Sequence, residues 1–449
     1  MRRIVLIILA VVLGASAVVR GESRVESGER RVESAELDKA IRKDRKNPEL
    51  YAERGQYYYE RGLYEKAMDD YMKAYGLDKA EMDYAIEAAR CMHMLGDEER
   101  AGQMLNLITA AEPKKINAWL LWSDIEYGRA LDSLNRLMDQ VDLDPDDLFY
   151  YVGTRAKIYL NSRAYHEAIL DLQRLQKMLD EGVINPFVAY QSALVNRESY
   201  HFYEAAKNYT DLIHYYDDAF QPDLLFERGK CYEFAGIYGM AIRDFTQIIE
   251  QEEENAYQAD AYLHRGLINE IQQLYEPALK DYNNGLLVDE TYNALHLSRG
   301  RLLLEAYKDT LNAKLDFEYI LKHDTACVLS SRIFALAFLG QKEEAIERLD
   351  KCTPEFPNEQ EFYIMASAYA RLGMTNEALN CLESSLNIGF RAMELIDDDP
   401  DMNSLRTNEQ FKELIARYKE IRTIENIGFY EEDDEPDVDV DMREGEYDE

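Results

Sequence analysis

Arginines that recur beside a small residue are the side chains best placed to do chemistry, and each is followed by an aspartate. The aspartate lies sixteen positions later in four cases and seventeen in the fifth. The five pairs are Arg54 and Asp70, Arg155 and Asp171, Arg228 and Asp244, Arg265 and Asp281, and Arg299 and Asp316. A row of free guanidinium groups could bind anions, whereas a guanidinium paired with a carboxylate is neutralised.

The distribution of the two residue types decides between these interpretations. Equivalent positions without the arginine also lack the aspartate, as with Ala88 and Met104. The exception is Arg332, which has Arg348 at the corresponding place. A charge that occurs only with its opposite is typical of a structural contact, so we expect an ion pair between two helices at each of the five sites.

Residue patterns for catalysis or metal binding are missing. The seven histidines are scattered, and none has the H-E-x-x-H spacing of a zinc site. The sequence contains no G-x-S-x-G nucleophile motif, no phosphate-binding P-loop and no G-x-G-x-x-G. We therefore expect a protein that is not an enzyme, with no catalytic, cofactor-binding or metal-binding residues.

The elements that position the arginines form a repeat with a period of 34 residues. Gly62 and Gly96 are 34 positions apart, and so are Ala67 and Ala101. Apolar and small residues recur at helical spacing on both sides of each turn glycine, which predicts pairs of helices. About ten such pairs follow one another over residues 47–423.

This pattern resembles the tetratricopeptide-repeat (TPR) family. In the first repeat the family positions are held by Tyr51, Gly55, Tyr58, Gly62, Ala67 and Tyr71. The resemblance implies an all-α fold, a right-handed superhelical solenoid of about ten TPR helix pairs with a C-terminal capping helix. The third repeat departs most from the pattern, so we expect a kink or an irregular pair near residues 116–145. With its Tyr-rich repeats and its closing segment, the chain is similar to exported TPR proteins of Gram-negative bacteria of the Bacteroides type.

The N-terminus has the order of a secretory signal peptide. Arg2 and Arg3 precede the apolar run Ile4–Leu13, and small residues follow up to Ala17. We expect residues 1–17 to be removed and the mature protein to be periplasmic or associated with the cell surface, without a membrane span. Retention of this segment as an anchor is the alternative.

Both ends of the repeat region differ from it in composition. Residues 18–46 predict a flexible charged linker that could end in a capping helix from Ala35. Residues 424–449 predict an acidic disordered tail. The chain as a whole has a formal net charge of −36. This charge repels nucleic acids and anionic membrane surfaces, so we expect neither as a partner. Three interpretations of the negative charge remain open: attraction of basic partners, binding of divalent cations, and solubility alone.

The five cysteines are odd in number and irregular in spacing: Cys91, Cys231, Cys327, Cys352 and Cys381. Without a C-x-x-C motif they predict neither a zinc site nor a disulfide framework. We expect small buried side chains. A bridge between Cys352 and Cys381, in the second helices of neighbouring repeats, is the alternative.

The resemblance to TPR proteins implies a protein or peptide partner bound on the concave face, which the first helices line. We expect a non-catalytic interaction scaffold outside the cytoplasm; a soluble periplasmic chaperone or adaptor for exported clients is the alternative. Residues four apart on a first helix share that face. The predicted groove spans repeats six to eight and would hold an apolar partner with an acidic group. Its residues are Phe226, Lys230, Phe234, Leu263, Leu267, Ile271, Leu297, Arg301 and Leu304.

Overall fold

The computed structural model describes residues 29–139, 143–180, 182–216, 220–251, 255–324, 329 and 331–427. Within these ranges every regular element is a helix. The chain divides into two compact units, with the boundary between Ala235 and Gly236. The predicted signal peptide, the linker up to residue 28 and the tail from residue 428 lie outside the described residues.

The N-terminal unit is a series of helices in which each packs on the next. The helices are α1 (Glu29–Lys43), α2 (Pro48–Tyr59), α3 (Tyr64–Leu77), α4 (Asp83–Met94), α5 (Glu98–Ala111), α6 (Ile116–Met138), α7 (Pro145–Asn161), α8 (Tyr165–Lys177), α9 (Pro186–Glu198), α10 (Phe202–Tyr215) and α11 (Pro222–Phe234). The predicted capping helix is α1, which begins before Ala35 and packs on α2.

The C-terminal unit continues the same organisation. Its helices are α12 (Tyr238–Ile249), α13 (Gln258–Ile271), α14 (Tyr275–Val288), α15 (Asn293–Glu305), α16 (Thr310–His323), α17 (Ser331–Phe338), α18 (Lys342–Cys352), α19 (Glu359–Arg371), α20 (Thr375–Asn387), α21 (Met393–Asp398), a 3-10 helix (Pro400–Ser404) and α22 (Glu409–Ile427). The 3-10 helix packs on α19 and α22 packs on α20, so they close the end of the last pair as a cap. Helix α22 continues past residue 423, where the repeat region was predicted to end.

Helix ends follow from residues that the repeat pattern supplies. Asn47 caps α2 by accepting a hydrogen bond of 3.0 Å from the backbone N–H of Glu49, and Pro48 occupies the first helical turn. Between α2 and α3, Gly62 has φ of 69°, a left-handed conformation that glycine adopts without steric cost. The predicted tight turn is therefore confirmed.

Small residues let the two helices of a pair approach closely. A Cβ atom on Gly55 would lie 3.2 Å from the ring of Tyr71. In the C-terminal unit, a Cβ atom on Gly266 would lie 2.6 Å from Cε1 of Tyr282, which is closer than packed atoms tolerate. The aromatic ring of the second helix thus fills the space that the glycine of the first helix leaves open.

The third repeat forms one kinked helix. The backbone of α6 leaves helical geometry at Glu126, with φ of −137° and ψ of 66°. The Glu126 carboxylate accepts a hydrogen bond of 3.0 Å from Nε1 of Trp122 and one of 2.5 Å from Nη1 of Arg129. The bond from Trp122, helped by Arg129, lowers the pKa of Glu126. The irregularity expected near residues 116–145 is confirmed, and these contacts hold it in place.

Candidate interaction surfaces

Two predicted ion pairs of the N-terminal unit have the same bidentate geometry. Arg54 donates from Nε and Nη2 to the two carboxylate oxygens of Asp70, each at 2.7 Å. Arg155 donates in the same way to Asp171, at 2.8 and 2.6 Å. Both aspartates are buried. A buried carboxylate that accepts two charge-assisted bonds is held firmly in one orientation.

The C-terminal unit contains two more pairs of this kind. Arg265 donates to Asp281 at 3.1 and 2.7 Å, and Arg299 donates to Asp316 at 2.9 and 2.6 Å. Four of the five predicted pairs are therefore confirmed as structural contacts. Arg228 and Asp244 belong to different units, and their pairing stays a prediction.

A third bond from each arginine was not foreseen from the sequence. The Nη1 atom donates to a polar side chain on the helix that precedes the pair. The acceptors are Asp38 for Arg54, Asn135 for Arg155, Thr210 for Arg228, Thr246 for Arg265 and Asn283 for Arg299, at 2.6 to 3.2 Å. Each arginine therefore ties its own helix to the preceding helix. The acceptors differ in type and spacing, so the repeat pattern alone could not reveal them.

Arg332, the exception to the pattern, bonds to backbone instead. Its Nη1 atom donates to the carbonyl oxygens of Leu321 and Asp324, the latter at 3.2 Å. These carbonyls lie at the end of α16, where a helix leaves its last acceptors unpaired. A guanidinium can satisfy them, which explains why this position keeps its arginine without a facing aspartate.

The part of the predicted groove in the N-terminal unit is largely occupied. Phe226 is buried, and Phe234 stacks on Phe202 with ring centroids 4.9 Å apart. Nζ of Lys230 lies 3.3 Å from Oε1 of Glu227, which also accepts a 2.6 Å bond from Arg197. Burial raises the pKa of Glu227, but Lys230 and Arg197 outweigh it and leave the pKa below its ordinary value.

The predicted groove residues of the C-terminal unit are buried more completely than those of the N-terminal unit. Leu263, Leu267 and Leu297 have no exposed surface. Ile271 is buried as well, whereas Leu304 is half-buried. Arg301 is 3% exposed, and its Nη2 atom donates to Oε2 of Glu270 at 3.0 Å.

The prediction of an exposed apolar strip with two available cations is therefore corrected. Six of its nine side chains are buried: Phe226, Leu263, Leu267, Ile271, Leu297 and Arg301. Because first helices also pack on their neighbours, a stripe of large apolar residues fills the interior instead of facing a partner. Partner binding at the accessible residues, Lys230, Phe234 and Leu304, stays a prediction.

The sequence interpretation missed a charge network in the C-terminal unit. The Glu270 carboxylate that binds Arg301 also accepts a 2.9 Å bond from the hydroxyl of Tyr282, and burial raises the pKa of Glu270. Further along, Nη2 of Arg371 donates to Glu305 at 2.9 Å across 66 positions of sequence. Its guanidinium carbon lies 4.1 Å from the ring centroid of Phe338. Pairs so far apart in the chain leave no periodic signal.

Asp399, at the start of the 3-10 helix, has no exposed surface. Its Oδ2 atom accepts bonds of 3.0 Å from both the hydroxyl of Tyr363 and the hydroxyl of Ser367. Its Oδ1 atom accepts a 2.8 Å bond from the backbone N–H of Asp401. Burial, together with the charge of Asp401, raises the pKa of Asp399.

A cleft of about 450 Å³ lies between α1 and α2, and we call it the N-terminal cleft. It is lined by apolar and acidic residues of the two helices: Glu36, Leu37, Ala40, Leu50, Glu53, Gln56, Tyr57 and Glu60. The cleft is open to solvent along its length, so it suits contact with a side chain of a larger partner better than enclosure of a small ligand.

The described ranges contain histidines, cysteines and many carboxylates, the side chains that metal and disulfide chemistry use. No group of three or more His, Cys, Asp or Glu side chains there could hold a metal ion. Cys91, Cys231, Cys352 and Cys381 are free thiols, so the alternative of a Cys352–Cys381 bridge is wrong. Among the same residues, no helix has the length and hydropathy needed to cross a membrane.

Stacked helix pairs with a small residue facing an aromatic ring define a fold of the tetratricopeptide-repeat class. The tetratricopeptide repeat family model matches residues 48–81, which correspond to α2 and α3. The predicted resemblance to the tetratricopeptide-repeat family and the predicted all-α fold of helix pairs are confirmed.

Parts of this chain are similar to known proteins. A chloroplastic protein from Arabidopsis thaliana is 31% identical over 85 residues, which are 18% of this chain and about a quarter (25%) of the relative. A tetratricopeptide repeat protein from Parabacteroides merdae has 14% identity and a TM-score of 0.40, over 75% of this chain and 98% of that one. The C-terminal part of a TPR repeat-containing protein from Cytophaga hutchinsonii has 14% identity and a TM-score of 0.37, over 63% and 95%.

Proposed function

We propose that this protein is a non-catalytic scaffold that binds a protein or peptide partner outside the cytoplasm. The observation that carries the proposal is the array of TPR-type helix pairs, four of which carry the same three-bond arginine contact to the preceding helix. Stacked repeats present an extended surface while each repeat contacts only its neighbours. Such an array suits the binding of a macromolecule better than the enclosure of a small substrate.

The order of charged, apolar and small residues up to Ala17 supports export. N-terminal sequencing of the protein isolated from its native cell envelope should begin close to Val18. A chain that begins at Met1 in that fraction contradicts cleavage.

The function itself is tested by isolating the full chain with its bound proteins and re-forming the complex from purified components. Light scattering should give a mass that corresponds to one partner in fixed stoichiometry. Many partners in substoichiometric amounts indicate a chaperone instead of a scaffold. If the chain forms no complex after such reconstitution, both the scaffold and the chaperone function are contradicted.

A further inference from the structure

The N-terminal cleft is a built feature of the N-terminal unit. Its first wall, α1, is attached to α2 by the 2.6 Å bond from Arg54 to Asp38. The same helix packs through Ile41 against Tyr51 and Ala74. An ion pair and an apolar cluster therefore hold the two walls against each other.

The floor and rim of the cleft differ in chemistry. Leu37, Ala40 and Leu50 are half-buried apolar side chains, whereas Glu36 and Glu53 are exposed. Among the described residues, neither of these carboxylates has a cation within 4 Å. The cleft thus combines an apolar surface with two carboxylates that no cation of the described residues neutralises.

The far end of α2 extends this acidic rim. Glu60 is exposed and lies 3.8 Å from Arg61, a distance that leaves a weak, solvent-screened contact. The Arg61 guanidinium carbon lies 3.5 Å from the ring centroid of Tyr57, which lines the cleft. The ring of Tyr57 therefore already accepts a guanidinium on one face, as aromatic rings do through their quadrupole.

We propose that the N-terminal cleft binds a cationic segment of the partner, in which lysine or arginine flanks a leucine-sized apolar side chain. This inference rests on the proposed function and names the chemistry of its partner. The apolar side chain lies on Leu37, Ala40 and Leu50, and the cations lie beside Glu36, Glu53 and Glu60. Charge complementarity of this kind raises the rate of association and selects the partner. The choice also agrees with the pairing of Lys230 with Glu227 and of Arg301 with Glu270, since carboxylates of the chain itself already neutralise both cations.

The test measures fluorescence anisotropy of a labelled amphipathic peptide of lysines and leucines added to the full chain. The test variant is Glu53→Gln with Glu60→Gln. The matched control is Glu65→Gln with Asp69→Asn, which removes the same charge from exposed positions on α3. We expect the test variant to bind at least about fivefold more weakly than the control, because cleft charges act at short range and distant charges are screened. Circular dichroism melting checks that both variants are folded.

Two further peptides test each half of the proposal. Replacing the lysines by glutamates should abolish binding, and replacing the leucines by serines should weaken it. The proposal that the cleft binds a cationic segment is overturned if the test and control variants bind the peptide equally well, or if the original peptide does not bind. Light scattering gives a further test. If the parent chain is a dimer and the test variant is a monomer, the cleft holds a second copy of this chain, and the proposal of a cationic partner is overturned.

Failure of the cleft is distinguishable from failure of the proposed function. If the isolated partner re-forms a stoichiometric complex with the Glu53→Gln, Glu60→Gln variant at unchanged affinity, the scaffold function stands and the cleft is not its site. If neither variant nor the parent chain binds any partner, the function itself is contradicted.

Discussion

Arg155 is bound to Asp171 by two hydrogen bonds and to Asn135 by a third, so that one side chain connects three helical segments. The first two bonds join α7 to α8 within a repeat. The third reaches the end of α6 in the preceding repeat. A single guanidinium therefore fixes both the geometry inside a helix pair and the attachment of that pair to the preceding repeat.

The pair within the repeat is measured by a double-mutant cycle. Arg155→Ala should lower the free energy of unfolding by about 1–3 kcal/mol, because it leaves the buried Asp171 carboxylate without its partner. Adding Asp171→Ala should restore part of the loss. Arg174→Ala, an exposed arginine on α8, is the control for the lost charge. Denaturation in guanidinium chloride gives the four values, and strictly additive losses contradict the pairing.

The bond between repeats has its own test. Asn135→Ala should cost about 0.5–1.5 kcal/mol in the parent chain, because Nη1 of Arg155 loses its acceptor. The same change should cost far less after Arg155→Ala. Hydrogen exchange of α7 amides should quicken in Asn135→Ala if the bond holds the two repeats together. An equal cost in both backgrounds shows that the bond contributes nothing.

Glycine at the helix contact is tested by Gly266→Ala. The new Cβ would lie 2.6 Å from the Tyr282 ring, so we expect a loss of about 1–3 kcal/mol as the helices are forced apart. Gly239→Ala on α12 is the control, because nothing lies within 4 Å of a Cβ there. That change should be neutral or stabilise the helix slightly. Thermal melting compares the two, and a neutral Gly266→Ala contradicts the tight contact.

Stability of the C-terminal cap should depend on pH through Asp399. Its pKa is raised in the folded state to about 7, by burial and by Asp401. The folded state therefore binds the proton more tightly than the unfolded state. The stability from this group is present below the ordinary carboxyl pKa of about 4, and it is lost as pH rises through the folded pKa.

Asp399→Asn isolates this effect, because asparagine keeps the shape of the neutral acid. Between pH 5 and 8 the free energy of unfolding of the cap should fall by about 1–3 kcal/mol more in the parent chain than in the variant. Hydrogen exchange of residues 401–405, corrected for the intrinsic rate at each pH, gives the local value. Identical pH dependence in the two proteins contradicts titration at this site. Tyr363, Ser367, Asp401 and Arg371 are the groups around it.

Periodic features of the fold could be predicted from the sequence. Turn glycines, such as Gly62, and contacts between a small residue and a ring recur at a fixed spacing, so one chain carries several copies of the same evidence. The pairs of Arg155 with Asp171 and Arg299 with Asp316 were found in that way. The bond from Arg371 to Glu305 could not be found, because its spacing occurs once.

The groove was placed wrongly for a physical reason. Helical spacing shows that Leu263 and Leu267 share a face, but it does not show what that face contacts. In a stacked repeat the neighbouring helices cover it. Only the packing of α13 with α14 and α15 distinguishes an interior stripe from a docking surface.

The three-bond contact has a consequence for how such a chain can lengthen in evolution. The contacts of Arg155, Arg265 and Arg299 each take an acceptor from one repeat, and an arginine and an aspartate from the next. The pair α13–α14 holds all three groups, because Arg265 and Asp281 meet Thr246 of the preceding helix and Asn283 accepts from Arg299 of the next pair. A duplicate of this period would therefore form a chemically complete junction. Asn135, Thr246 and Asn283 all serve as acceptors, so the junction tolerates exchange among short polar side chains. Gain or loss of the whole α13–α14 period leaves no half-buried guanidinium without an acceptor, whereas an insertion of half of it does.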